Sequence, residues 1–465
     1  MRIKKASTYI VVILISIIDV SAQTSPSNTQ FHDSLTQNLY HNLKELCKSD
    51  DFMFGISMST TMKRLDVAPF YNTDPEQSDC KDITGSHPAF IESDFFWYEH
   101  TPAFYSVDTA ALKHARSEGA VIGYTWHLNG KYNSHFHAVN NLTRYDYNGN
   151  EVLVYNIVND IDDARSWFYS KLDKIIPVMR DDLGFPIVFR IFPEMTGWWF
   201  WWGSDYCTPQ EFIDLWRLAV DYIRKQGCKN ILFSWAPNFE VDFSYYPGDE
   251  YVDIIGFDMY NAGTDGSSGW NTEQKVYDAL HAVTDFSLAH DKVSIWAETG
   301  PRDYPDNHPN YWTKHVLKYI KDDGISTRIA WVMTWYNSSW SCYTPYLGIN
   351  NQTAIDDFIS FRQDKNTIFL NEIPDMYQSS GVASSDLSKE VTKFKVYTSP
   401  ANQTVYIKLA QKADIYLFDS KNNLIFTRSG AIQEQQIDIS HLPKGVYFIR
   451  ISNKKYSIIE KVLKY

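Results

Sequence analysis

Cationic side chains are few for a chain of this size: 43 Lys and Arg stand against 56 Asp and Glu in 465 residues, a formal net charge of −13. Binding a polyanion requires clustered cations that neutralise phosphates, so nucleic acid is excluded as a partner. Cysteine is also scarce, with five residues (Cys47, Cys80, Cys207, Cys228 and Cys342) and no Cys-x-x-Cys pair. That removes the common zinc and redox motifs, and the odd count leaves at least one thiol unpaired in a monomer. No glycine-rich phosphate loop follows a strand-like run. After the N-terminus, no hydrophobic stretch reaches the length of a membrane span. His135-Phe136-His137 with His127 lacks the carboxylates of a metal site. No metal and no cofactor is called for.

Aromatic residues are abundant instead, with 15 Trp, 31 Tyr and 27 Phe. With 44% hydrophobic and 21% charged residues the chain folds rather than staying disordered. Many aromatic rings in an acidic protein favour stacking on sugars. The N-terminus reads Met-Arg-Ile-Lys-Lys, an apolar stretch from Tyr9 to Ile18, then Val20-Ser21-Ala22. This order of basic, apolar and small residues predicts a secretory signal peptide over 1–22.

Apolar or β-branched runs recur at Phe52-Ser57, Pro88-Asp94, Ala120-His127, Pro186-Glu194, Asn230-Asn238, Val252-Tyr260, Lys292-Glu298 and Arg328-Asn337. Several are continuously hydrophobic, as buried parallel strands are. Helical patterns lie between them, at Ile161-Leu183, Thr208-Gln226, Thr272-Ala289 and Asn310-Asp323. Alternation of this kind predicts an α/β fold, a (β/α)8 barrel over 31–370. Asp94, His127, Glu194, Asn238, Tyr260, Glu298 and Trp335 stand at or near the C-terminal ends of these runs, where barrels of this kind carry their chemistry.

The densest signal is Phe189-Arg190-Ile191-Phe192-Pro193-Glu194, followed after three residues by Trp198-Trp199-Phe200-Trp201-Trp202. A buried strand ending in a carboxylate needs a reason, because an unpaired buried charge is costly. Two explanations compete: an ion pair with Arg190, or a general acid whose pKa is raised beside Trp rings. The second is preferred. Another carboxylate closes Ser294-Ile295-Trp296-Ala297-Glu298. The strand count puts Glu194 on the fourth strand and Glu298 on the seventh, facing each other across the barrel mouth. Retaining glycosidases use two carboxyls about 5–5.5 Å apart, one as acid/base and one as nucleophile.

The chain resembles glycoside hydrolase family 26, best known for endo-β-1,4-mannanases of (β/α)8 fold. The matching pieces are Gly85-x-His87-Pro88-Ala89, Trp126-His127-x-Asn129, Phe189 to Gly203, Trp235-x-Pro237-Asn238, Tyr246-Pro247-Gly248-Asp249, Val252 to Tyr260 and Ala297-Glu298-Thr299-Gly300. The resemblance implies Glu194 as acid/base and Glu298 as nucleophile, with Tyr260 hydrogen-bonding the nucleophile. It further implies substrate contacts from His127 on the glycone side, from Trp126 and Asp258, and from Trp199 and Trp335 as sugar platforms. Arg190 is a supporting residue. The family usually carries His just before the acid/base, where this chain has Pro193, a departure that bears on tuning or sugar preference.

Composition changes after residue 370. A linker is expected over 371–390, and period-two patterns at Thr404-Ile407, Asp414-Phe418 and Gly445-Ile449 predict a small C-terminal antiparallel β-sandwich over 391–465. Val396-Tyr397-x-Ser399-Pro400-Ala401, Ile415-Tyr416-x-Phe418-Asp419 and Leu442-Pro443-Lys444-Gly445-Val446-Tyr447 resemble the C-terminal sorting domain of type IX secretion cargo. That resemblance implies export to the outside or surface of a Gram-negative bacterium. The expectation is a monomeric retaining endo-glycosidase acting on β-1,4-linked gluco- or galactomannan, or a related plant polysaccharide. Its rivals are a mixed-linkage β-glucanase, a mannobiose-releasing exo-enzyme and a non-catalytic glycan-binding surface protein.

Overall fold

The apolar runs become nine parallel strands: β1 (Phe52–Ser57), β2 (Phe90–Asp94), β3 (Val121–Trp126), β4 (Ile187–Ile191), β5 (Ile231–Trp235), β6 (Ile254–Ile255), β7 (Val293–Ser294), β8 (Trp296–Thr299) and β9 (Trp331–Thr334). This is a computed structural model, and it describes residues 28–64, 71–132, 135–137, 153–265, 269–302, 304–322, 328–339, 341–379, 394–399, 404–409, 412–419, 423–452 and 457–464. The expected signal peptide, most of the expected linker and the Pro400-Ala401 pair lie outside the described residues.

Hydrogen bonding runs in the order β7-β6-β5-β4-β3-β2-β1-β9-β8. Only Ile295 separates β7 from β8, and β7 pairs with β6 while β8 pairs with β9. The two are successive halves of one barrel stave, so the ring closes as the eightfold alternation requires. A short β10 (Thr367–Ile368) pairs beside the start of β1. Helices lie between the staves. The helix Pro209–Lys225 starts on a Thr208–Glu211 capping box and buries Phe212, Leu215, Trp216, Ala219 and Ile223 on one face. The periodicity over Ile161–Leu183 divides into a helix Ala164–Pro177 and a wider coil Val178–Leu183. Pro177 marks that change, having no N–H to continue the helical ladder.

Alternation along the staves separates two apolar layers. Residues such as Phe54, Ile91, Ile122 and Phe189 pack outward under the helices. Met53, Phe90, Val121, Val188, Leu232, Ile295 and Trp331 form a second cluster within the ring, joined by Leu39, Tyr40 and Leu43 of the helix Ser34–Leu46. Gly123 lies at this crowded interior, because a Cβ there would sit 2.7 Å from the Phe90 ring. The Tyr40 hydroxyl donates to the Asp291 carbonyl at 2.9 Å, just before β7, so the N-terminal helix stoppers the end of the barrel where strands begin. Polar side chains are left for the opposite end.

The barrel continues further along the chain than its composition suggests. Met376 and Tyr377 are buried in the same inner cluster, and the Tyr377 hydroxyl donates to the Ala120 carbonyl at 2.8 Å. Asn38 and Asn42 donate back to the carbonyls of Tyr377 and Met376. Residues up to 378 therefore close the barrel's base rather than linking domains, a correction to the expected start of the linker at 371.

The C-terminal region forms two antiparallel sheets. One holds β11 (Phe394–Ser399), β12 (Thr404–Leu409) and β15 (Glu434–Asp438); the other holds β13 (Ala413–Asp419), β14 (Leu424–Ala431), β16 (Gly445–Ser452) and β17 (Ser457–Lys464). Val405, Ile407, Ile415, Leu417, Ile437, Ile449 and Ile451 fill the core between them, as a sandwich requires.

Candidate active site

Four staves send charged groups into the upper interior of the barrel. On β2, Phe90, Glu92 and Asp94 share one face by the period of two, and Arg190 of β4 crosses to meet Glu92. Arg190 is 1% exposed. Its Nη2 and Nε donate to Glu92 at 2.8 and 3.2 Å, and its Nη1 donates to Asp258 Oδ2 at 2.9 Å. Nη2 also donates to Glu298 Oε1. A single guanidinium thus serves three carboxyl groups, a geometry suited to its planar fork.

So many carboxyls around one cation cannot all ionise cheaply. Burial, outweighing the attraction of Arg190, raises Asp258 well above the usual carboxylate range, and the charges of Glu298, Glu194 and Glu92 add to the effect. Burial raises Glu92 as well, against the pull of Arg190. Burial thus disfavours the charged form of Asp258 even though Arg190 Nη1 lies 2.9 Å from its Oδ2.

Glu298 reaches this cluster through an irregularity. Ile295 and Ala297 face inward and Trp296 outward, so strict alternation would turn Glu298 outward too. Against β9, however, Trp296 pairs with Val332 and Thr299 with Thr334, three steps opposite two. This extra residue is a bulge, and it re-aims Glu298 into the barrel. There its Oε2 accepts a 2.7 Å hydrogen bond from the Tyr260 hydroxyl.

Glu194 is positioned by a strained turn. β4 ends at Ile191, and both Phe192 (φ 51°) and Glu194 (φ 54°) adopt the left-handed conformation on either side of Pro193. For non-glycine residues such conformations persist only where surrounding contacts impose them. Here the Glu194 N–H donates to the Ala236 carbonyl after β5 at 2.8 Å, and the Trp202 indole N–H donates to the Pro193 carbonyl at 2.7 Å. Trp201 donates to the Leu128 carbonyl at 2.7 Å, so the aromatic run anchors its own turn. Trp199 is left only partly buried, and its indole N–H donates to Glu194 Oε2 at 2.7 Å. Burial raises the Glu194 pKa to about 7, and the charge of Glu298 contributes next, so the two carboxyls sense each other across the mouth.

On the β3 side, His127 Nδ1 lies 2.7 Å from Asp94 Oδ2. Burial works against a charged ring, but the Asp94 carboxylate outweighs it and the His127 pKa is raised. The rings of Phe136, Phe200 and Trp335 lie 5.1, 5.4 and 5.6 Å from it.

The structure thus brings together Glu194, Glu298, Arg190, Asp258, Tyr260 and Trp199, with His127 and Trp335 on the flank. Arg190 pairs with Glu298, Glu92 and Asp258; no ion pair with Glu194 is present among the described residues. Trp126 departs from its expected place. It is 2% exposed and packs on Phe168 and Phe189, because it precedes His127 on a strand and faces the helices. Asp258, at 1% exposure, lies under the cleft floor rather than on it. Sequence reasoning missed Glu92; its signal was a charge inside an otherwise apolar strand, on the face shared with Asp94.

Residues 28–323 match the profile of glycosyl hydrolase family 26, and residues 395–465 match the secretion system C-terminal sorting domain. A mannan endo-1,4-beta-mannosidase of Bifidobacterium adolescentis is 29% identical over 212 residues, 40% of this chain and 20% of that protein. Endoglucanase H of Acetivibrio thermocellus is 29% identical over 160 residues, 31% of this chain and 17% of that protein. The catalytic domain of a GH26 endo-beta-1,4-mannanase from Bacillus sp. JAMB-750 is 25% identical, with a TM-score of 0.64 over 76% of this chain and 97% of that one. The chain spans less than two fifths of the first curated relatives it matches, 20%, 36% and 37% of their lengths.

Proposed function

The chain belongs to glycosyl hydrolase family 26, and from that membership we propose that it is a retaining endo-glycosidase that hydrolyses internal β-1,4-mannosidic bonds in gluco- or galactomannan. The observation that carries this reading is the unlike pair of glutamates. Glu194, with its pKa pushed to about 7, still holds a proton near neutrality and is the general acid. Glu298, oriented by Arg190 and Tyr260, is the nucleophile.

In the first step a Glu298 oxygen attacks the anomeric carbon while Glu194 gives its proton to the departing glycosidic oxygen. In the second step Glu194, now a carboxylate, takes a proton from water as that water displaces Glu298. Tyr260 and Arg190 hold the Glu298 carboxyl through both steps. His127 binds the glycone, with Trp335 as the floor beside it and Trp199 as a platform near the scissile bond. Asp258 acts from below, through Arg190.

Single substitutions test the roles. Glu298→Ala is expected to abolish turnover on every substrate, by about 10⁴-fold or more. Glu194→Ala is expected to lose about 10²–10⁴-fold on mannan but much less on aryl glycosides with activated leaving groups, and azide should restore turnover on those. Equal losses on both substrate classes without rescue would refute the assignment.

Likeness to an endoglucanase favours one second reading, in which the same machinery cuts mixed-linkage β-glucan. Product sizing on a panel of mannans and β-glucans separates the two. The sorting domain marks the chain for secretion or display at the cell surface. We further propose a Gram-negative host, a type IX route, removal of a signal peptide over 1–22, and a monomeric enzyme.

A further inference from the structure

Among the described residues two tryptophans are more than half exposed, Trp198 at 64% and Trp270 at 67%. Exposed indoles on a folded surface lose the burial that makes Trp favourable, so two at one rim call for a ligand. Both stand at the mouth where the carboxylates lie. Trp198 belongs to the turn after β4 and meets the Trp199 ring edge-on at 5.9 Å. Trp270 lies in the loop after β6 and packs edge-on against Phe239, of the loop after β5, at 6.5 Å.

Hydrogen bonds join these loops. The Thr196 hydroxyl donates to Asn238 Oδ1 at 2.8 Å and accepts from the Asn238 N–H at 3.2 Å, so the residue before Phe239 is tied to the turn that bears Glu194. The Lys275 ammonium then sits 4.8 Å from the Trp270 ring centre and 5.4 Å from that of Phe239. A cation over a ring holds the ring in place and enriches its role as a fixed plate. Trp270 still leaves two thirds of its surface to solvent.

We propose that Trp198, Phe239 and Trp270 form a stacking track for the polysaccharide backbone on the leaving-group side of the cleft. This rests on the assignment of His127 and Trp335 to the glycone. Those residues occupy the flank of β3 and β9, whereas the track occupies the flank of β5 and β6 beyond the acid/base. A sugar chain crossing the mouth from one flank to the other passes the scissile bond over Glu194 and Glu298. The apolar faces of β-linked pyranose rings then lie along the indoles, with Trp270 reached only by chains extending well past the bond being cut. The track thus selects long backbones and supports cleavage within them.

The test compares wild type, Trp270→Ala, Trp198→Ala and Lys275→Ala on high-molecular-weight glucomannan and on an aryl β-mannobioside, whose leaving group is a single ring. Trp270→Ala is expected to lose about three- to tenfold more kcat/KM on the polymer than on the aryl substrate, chiefly through KM, with Trp198→Ala in the same direction. Lys275→Ala should give a smaller loss of the same kind. Equal losses on both substrates, or no polymer-specific loss in either Trp variant, would overturn the track. Affinity electrophoresis in gels containing glucomannan or mixed-linkage β-glucan supplies a readout independent of turnover. There wild type should be retarded by its substrate polymer and Trp270→Ala less so. If wild type cleaves and binds only the glucan, the mannan reading fails. The track is then judged by the same polymer-to-aryl ratio on glucan and an aryl cellobioside.

Discussion

Glu194 and Glu298 carry the same functional group, and their neighbours give them different work. Glu194 meets an indole N–H and the field of its partner; Glu298 meets a guanidinium and a phenol. Because the Glu298 charge helps raise Glu194, Glu298→Gln is expected to lower the Glu194 pKa from about 7, which a carbon-13 glutamate titration would read. A rise would contradict the coupling. The stability consequence follows in sign. The native state keeps the Glu194 proton up to about pH 7, whereas the unfolded chain releases it around the ordinary 4.5. Between those values the native state binds more protons, so its stability falls as pH rises through the window. Glu194→Gln should therefore be more stable than wild type at pH 8, on the order of 3 kcal/mol, and little different at pH 4. Thermal melts at the two pH values check it. At this scale the sequence was partly legible. Both glutamates stood at the ends of apolar strands, yet nothing in Trp296-Ala297-Glu298 announces the bulge that turns Glu298 inward. The Arg190 partners were equally hidden, because an ion pair between strands depends on which staves face each other.

At the scale of elements, the turn from Phe192 to Gly203 decides where Glu194 sits. Its aromatics were legible as a group, but not their division into anchors (Trp201 and Trp202) and cleft residues (Trp198 and Trp199). That division follows from a backbone conformation, left-handed at two non-glycine residues, that no periodicity signals. Pro193, the departure from the family pattern, is buried within this turn and bonded through its carbonyl to Trp202. Gly203 closes the turn. A Cβ there would collide with the Gly197 carbonyl oxygen and lie 3.0 Å from that of Phe200. Both obstacles are backbone, so no rotamer change relieves them. Gly203→Ala is expected to cost about 1–3 kcal/mol of stability. It should also reproduce a weakened form of the Glu194→Ala phenotype, with the loss on mannan at least tenfold greater than on an activated aryl glycoside. A uniform loss would mean that the turn supports the fold without aiming Glu194.

At the scale of the whole molecule, the eightfold strand–helix alternation and the change to period-two patterning made both architectures legible, whereas the boundary between them was not. Composition placed a linker from 371, on the strength of Ser379-Ser380-Gly381 through Ser388. Composition does not register that Met376 and Tyr377 are held at the base of the barrel by Asn42, Asn38 and the Ala120 carbonyl. The Arg116 guanidinium lies 3.3 Å from the centre of the Tyr377 ring on the same face. Two truncations distinguish the views. A chain ending at 379 loses the C-terminal sandwich and with it the contact of Arg450 with Asp285, 2.7 Å in length. Asp285 then returns to water rather than remaining a buried orphan, so the barrel should keep its kcat/KM and melt within about 2–4 °C of the full chain. A chain ending at 370 removes Met376 and Tyr377 from a closed core. Emptying such a site costs about 3–5 kcal/mol, which for a domain of this size lowers the melting temperature by on the order of 10 °C. Indistinguishable melting of the two truncations would restore the boundary at 371. In the native host both should fail to leave the cell, since each lacks the sorting domain. Export therefore separates from stability, and only the base of the barrel registers in the melt.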